Sequence, residues 1–299
     1  MTQLDIIMPV QPTSALPEVR RISLSDVKAA LAEGLDDFWV MPTHVVFLGL
    51  IYAIVGFLLC NVTYDYDGIP LLYPIATGFA LVGPIAGLWL FELSRRREAG
   101  MDTSWRHAFD ILHSPSLPAI AALVLLLVGI FALWIACAQS IYQATIGYRT
   151  FDSIWDFLGA VVGTPQGHRL ILFGNVVGLL FAIVAATLSV VSFPLLLDRN
   201  VGFAAAILTS IKAVVRNPVV MAVWGLIVAI ALALASIPFF LGLAIAMPVL
   251  GHATWHLYRR LVVPDFAPRP LYTAAHRRRY AAEFPASIFF ASSDEDDES

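Results

Sequence analysis

His252 and His256, in the stretch GHATWHLYRR, stand four residues apart. On a helix they share one face. Inside a membrane such a pair could hold a haem or a metal; at a membrane edge it is a polar border. Two histidines one turn apart on one helix cannot be both axial ligands of a haem, which approach the iron from opposite faces. They could form half of a metal site, but no carboxylate or thiol is clearly placed by the sequence to complete it. Arg259 and Arg260 follow at once and mark a boundary, with Trp255 and Tyr258 beside the histidines as in an interfacial aromatic belt. At about 1.5 Å per residue, His256 falls within one turn of that boundary and His252 within two. The pair is read as edge histidines. A haem or metal ligand pair is the alternative, and a pH-sensitive contact with headgroups or a partner is the third.

Other chemistry is sparse. The two cysteines, Cys60 and Cys137, lack metal-type spacing. Both are placed near the outer face, as free thiols or, alternatively, as a bridge. No nucleophile–base pair, phosphate-cradling glycine loop or paired-carboxylate arrangement rises above chance. The stretches GYRTFDSIWD and SRRREAGMDTSWRH read as interfacial charge. No catalytic residue and no cofactor is assigned, and enzyme activity is not expected. The sequon Asn61-Val62-Thr63 is given no role.

The elements that must position these residues are membrane helices. Hydrophobic residues are 59% of the 299 and charged ones 13%, against roughly 45–50% and about 25% in soluble domains. Mean hydropathy is +0.79. A soluble core could not use that much apolar surface, so the solvent is lipid. The tail SSDEDDES supplies much of the net charge of -4, and nothing suggests nucleic-acid binding. No cleaved signal peptide is expected.

A span needs about 20 mainly apolar residues. Six segments qualify: 43–62, 70–93, 118–139, 170–197, 218–237 and 238–258, the last two divided by a tight turn at Pro238. Lys and Arg gather before the first span, between the second and third, between the fourth and fifth, and after the sixth. That bias puts both termini in the cytoplasm. Residues 1–19 and 263–299 are expected to be disordered, flanking a transmembrane domain over 20–262. The tail's basic and acidic blocks could steer partners, though a solvated tail is the preferred reading.

Three stretches run into a proline that opens a span, at Pro42, Pro115 and Pro218. Before each, the apolar positions agree: Leu35, Phe38 and Trp39; Ala108, Ile111 and Leu112; Ile211, Val214 and Val215. Such amphipathic helices lie in the headgroup plane. Returning helices carry Pro84, Pro194 and Pro248. The expectation is an all-α membrane protein of six transmembrane helices, in three parallel-repeated hairpins, each led by a cytoplasmic interfacial helix. Glycines, such as Gly78, Gly83 and Gly87 or Gly174 and Gly178, are expected to let the hairpins pack, with Asn175 making an interhelical hydrogen bond. Glu92, Asp198 and His256 are expected to snorkel at the inner boundary. An outer loop, 140–168, carries a further apolar stripe of Phe151, Ile154, Phe157, Leu158, Val161 and Val162. It is a candidate partner contact or a lid over helix ends.

The opening RRISLSDVKAALAEGLDDFWVMPTHVVFLGLIYAIVGFLL has aspartate at Asp26, Gly34, Asp37-Phe38, Pro42, and then Gly49 and Gly56. It resembles the start of a prokaryotic family of predicted integral membrane proteins, domain of unknown function family 2189, over about residues 18–262. The resemblance implies residence in the bacterial inner membrane. Some members are labelled cytochrome c oxidase subunit I, but a catalytic haem-copper subunit requires about a dozen spans and half a dozen histidines within them (as that family's chemistry demands). Seven histidines in all, with only His252 and His256 late in a span, do not meet that requirement. The expected role is a non-catalytic structural or accessory component of a membrane complex, with the respiratory chain among the candidates. The alternative is a carrier of an apolar or lipid-like substrate. Expected partners are the bilayer and membrane proteins meeting the outer loop or the interfacial helices.

Overall fold

A computed structural model describes residues 16–41, 69–104, 111–151, 153–238 and 240–264. Among these the regular elements are helices. α1 spans Leu24–Val40 and starts where the Asp26 carboxylate accepts hydrogen bonds from the backbone N–H and hydroxyl of Ser23, at 2.8 and 2.7 Å. Those bonds hold the Asp26 carboxyl below its ordinary pKa and satisfy a free donor at the helix start.

α2 covers Ile69–Glu98 without interruption despite Pro74 and Pro84 inside it. α3 (Leu117–Thr145) opens with a proline in its first turn, where the missing N–H costs nothing. α4 (Ile154–Gly163) and α5 (Pro165–Ser189) follow with almost no link. After a break at Val190 and Val191 come α6 (Ser192–Asp198), α7 (Phe203–Arg216), α8 (Pro218–Ser236) and α9 (Leu243–Leu261). The break precedes Pro194, which cannot donate back along a helix. Ser210 of α7 covers it, accepting from the Val191 N–H at 3.2 Å and donating to the Thr187 carbonyl at 2.7 Å.

Three helical stretches among the described residues are long and apolar enough to cross a membrane: Leu117–Thr145, Pro165–Asp198 and Pro218–Ser236. They correspond to three of the six expected spans. α2 carries the expected 70–93 span as one helix, whereas 43–62 lies outside the described residues. The expected span 238–258 is corrected. Pro238 does lie in the turn, but α9 begins only at Leu243. Its second half, including His252, Ala253, Trp255, Leu257 and Tyr258, is buried against the rest of the protein.

The amphipathic leads also differ from expectation. α1 buries Val27, Ala30, Gly34, Asp37 and Phe38. Leu35 and Trp39 therefore point outward, Trp39 at 74% exposure. Ile111 is buried and Leu112 exposed, Val215 is exposed, and Ala108 falls outside the described residues. The shared apolar positions thus divide between a protein-facing and an outward flank. The outer loop is shorter than 140–168, since α3 runs to Thr145 and α5 starts at Pro165. Its stripe divides too. Phe151 and Phe157 pack edge-on at 5.4 Å between ring centroids, while Ile154, Leu158 and Val162 are exposed.

Of the glycines expected at helix contacts, Gly178 lies under Trp134, where an added Cβ would come within 3.0 Å of the indole; Gly83 and Gly174 face open space. Asn175 does bridge helices, accepting from the Tyr73 hydroxyl at 2.8 Å. Residues 16–19 are ordered. Val19 pairs antiparallel with Val262, both buried, through Arg20 N–H to Leu261 O at 2.7 Å and Val263 N–H to Glu18 O at 3.0 Å. Two buried valines with paired backbones explain why this piece of the N-terminal stretch is held. Asn217, between α7 and α8, secures the same strap, accepting from Ile22 N–H at 2.9 Å and donating to Arg20 O at 3.0 Å. Residues 1–15 and 265–299 lie outside the described residues.

Candidate functional site: a buried polar network at the helix ends

Gly34 sets the geometry. A Cβ there would stand 2.5 Å from the backbone nitrogen of Ala253, so only glycine lets α1 lie directly on α9. One turn later Asp37 points into the contact, only 2% exposed. Its Oδ2 accepts from His256 Nε2 at 2.9 Å and from the Ser94 hydroxyl, and its Oδ1 accepts from Arg97. Burial alone would raise the Asp37 pKa; the bonds from His256, Ser94 and Arg97 outweigh it and hold the carboxyl at about 2.

The network extends on both sides. Ser94 Oγ meets His252 Nδ1 at 2.7 Å. His256 Nδ1 faces Glu33 Oε2 at 3.1 Å, and Glu33 takes a two-pronged contact from Arg260 at 2.9 and 2.7 Å. That hydrogen-bonded guanidinium lowers the Glu33 pKa. Arg97 also reaches Asp36 at 2.7 Å. On the far side of α9, Trp255 Nε1 donates to Glu98 at 3.0 Å, Arg259 pairs with Glu98 at 2.7 Å, and the Tyr258 hydroxyl donates to Asp198 at 2.6 Å.

These contacts correct the sequence expectations. His252 is fully buried and His256 bonded to Asp37, so neither is a headgroup-facing edge residue. Trp255 and Tyr258 belong to the protein interior, not to an aromatic belt. Asp198 is buried under Tyr258, and Glu92 is buried and forked by Arg95 through two bonds of 2.7 Å. Neither snorkels. The physical reason is other protein: α1 lies over the His252 and His256 side of α9, while Tyr258 meets Asp198 and Arg95 meets Glu92.

Because Asp37 is ionised, the single Ser94 proton goes to it, and Ser94 Oγ must accept from His252 Nδ1–H. The His252 Nε2 is buried without a well-formed hydrogen bond. The order Asp37–Ser94–His252 differs from a hydrolytic triad, in which histidine stands between serine and acid. Ser94 is buried besides. Among the described residues no three His, Cys, Asp or Glu are arranged to hold a metal ion. The His252 and His256 nitrogens that face the centre are engaged by Ser94 and Asp37.

Sequence reasoning missed Glu33, Asp37, Ser94 and Arg97 as a site. The spacing of Ala30, Gly34 and Asp37 held the signal: it puts an acid in line with two small residues on one helix face.

Three helical stretches long and apolar enough to cross a membrane fit an integral membrane protein. Residues 72–198 match the model of a family described as predicted integral membrane protein (DUF2189). No curated protein and no solved structure matches the chain.

Proposed function

We propose that the protein is a non-catalytic structural or accessory component of a complex in the bacterial inner membrane. One observation carries the reading: the acids at the helix ends are engaged by protein cations and donors, Asp37 by Arg97 and His256, Glu33 by Arg260 and Glu98 by Arg259. Groups saturated in this way hold helices in register and leave little for a substrate. The apolar residues Leu35 and Trp39 on α1 and Trp155, Leu158 and Val162 on α4 are exposed and available to lipid or to neighbouring helices. Pairing of residues 18–20 with 261–263 keeps both ends of the domain on one side, which supports an even number of crossings. Ion-coupled transport would need the polar chain to continue across the bilayer. Among the described residues it stops at His252 Nε2.

The test is crosslinking in native membranes, affinity purification and mass spectrometry. A stoichiometric membrane complex that loses the protein when Trp155 and Val162 are changed to Ser supports the reading, and a respiratory complex would identify the setting. Saturable uptake of an apolar solute by vesicles holding the purified protein alone would overturn it in favour of a carrier.

A further inference from the structure

The described cations are of two kinds, those that meet an acid and those that do not, Lys28, Arg149 and Arg169 among the latter. Arg95, Arg97, Arg199, Arg259 and Arg260 all reach acids within the protein. Arg20, Arg21, Lys212 and Arg216 are exposed and reach none of the described acids. The fold nevertheless gathers these four around one residue. Asn217 follows Arg216 directly, and its side chain bonds the backbone on both sides of Arg21, at Arg20 O and Ile22 N–H. Lys212 lies one turn before Arg216 on α7. Among the described residues, Glu18 is the nearby exposed acid without an ion pair; Asp26, further on, is held by Ser23.

What surrounds these cations is apolar. The buried face of α7 consists of Ala206, Thr209, Ser210 and Ala213, whereas Leu208, Lys212, Val215 and Arg216 face outward. Val215 and, just inside the spanning helix α8, Val219 are 71% and 70% exposed. Unpaired positive charge on a backbone tied down by a buried asparagine, beside exposed valines at the start of α8, matches a ligand with an anionic head and an apolar body. A soluble anion would have no use for Leu208, Val215 and Val219. A protein acid would meet the same cations without needing the membrane helix below them.

We propose that Arg20, Arg21, Lys212 and Arg216 form a binding site for the phosphodiester headgroup of an anionic phospholipid, with the acyl chains along Val215 and Val219. The headgroup phosphate accepts from the guanidinium groups, for which paired N–H donors are suited. The strap fixes Arg20 and Arg21 in place beforehand, so binding orders little that is not already ordered.

The test is native mass spectrometry of the full-length protein, released from mixed micelles of phosphatidylglycerol and phosphatidylethanolamine. The wild type is expected to retain one phosphatidylglycerol in preference to phosphatidylethanolamine. Each lost cation should reduce that preference about fivefold. Arg216→Gln and Arg21→Gln each remove one charge without touching a packed contact; the pair should remove most of the selectivity. Arg216→Lys should keep part of it, and Arg169→Gln, on an exposed residue at the far end of α5, should leave it unchanged. Equal retention of both lipids by the wild type would overturn the proposal, as would full selectivity in Arg21→Gln/Arg216→Gln. Displacement of the lipid by millimolar inorganic phosphate would overturn it in favour of a simple anion site. Should the double variant fail to fold, the single variants, read against Arg216→Lys, decide the matter.

Discussion

Asp37→Asn is the substitution on which the account of the network depends most. The side chain is 3% exposed and faces Arg97, Ser94 and His256. Its ionised form is favoured in the fold: the carboxyl lies at about 2 against an ordinary 3.8. At 1.36 kcal/mol per unit, that difference is worth about 2 kcal/mol. Loss of one partner from a buried pair adds the cost of the charge left behind, so the total should reach about 2–4 kcal/mol. For a domain of this size that is about 5–12 °C in midpoint. The assay is thermal unfolding of the detergent-solubilised protein beside Asp36→Asn, whose side chain is 67% exposed and whose pair with Arg97 is a surface one. The control should lose about 0–1 kcal/mol. The pH dependence has a definite sign. A depressed carboxyl stabilises the fold above its unfolded pKa, and that contribution fades as pH falls from about 4 towards 2. The wild type should therefore lose more stability than Asp37→Asn across this window. Equal midpoints for the two variants, or parallel acid limbs for wild type and Asp37→Asn, would refute the reasoning.

Gly34→Ala should separate α1 from α9, because the new methyl meets Ala253 backbone at 2.5 Å; a loss of about 1–3 kcal/mol in the same melting assay is expected. Asn217→Ala should free the strap by leaving Ile22 N–H and Arg20 O unpaired, at about 1–3 kcal/mol. Trypsin should then cut at Arg20 and Arg21 sooner than in the wild type, and an unchanged cleavage rate would count against the strap. The purified protein should show no Soret band, since His252 Nδ1 and His256 Nε2 are engaged by Ser94 and Asp37. A haem spectrum that disappears in His252→Ala would reverse that assignment. Cys137 is free in the structure, and its gel mobility should not change with reductant.

Length and composition were enough to place α3, α5 with α6, and α8, because twenty apolar residues in a row have few other uses. The turn at Pro238 and the interhelical bond of Asn175 were legible for similar local reasons. The second half of α9 was not. Trp255, His256 and Tyr258 beside two arginines look the same whether lipid headgroups or protein cover them. What decides for His256 is α1, whose Asp37 is 219 positions away; for Trp255 and Tyr258 it is Glu98 of α2 and Asp198 of α6. Helices do stand before Pro42 and Pro218, but the inward face of the first was not legible, because Asp37 counts as polar in any pattern and yet faces inward. A buried acid can be distinguished from a solvated one only when its cations are in place.

That separation sets a schedule for synthesis. α1 leaves the ribosome first, and α9, the last of the described helices, follows more than two hundred residues later. Until then Glu33 lacks Arg260 and Asp37 lacks His256, and the notch at Gly34 has nothing to receive. The first helix must wait with Glu33 unpaired, and Asp37 met only by Ser94 and Arg97 of α2, while the helices between are made. Closure of the network is thus a late event, and it reports that α9 has arrived. A chain stalled before α9 would keep α1 loose and open to proteases, so the same contact that fastens the helix ends also distinguishes a chain that has made α9 from one that has not.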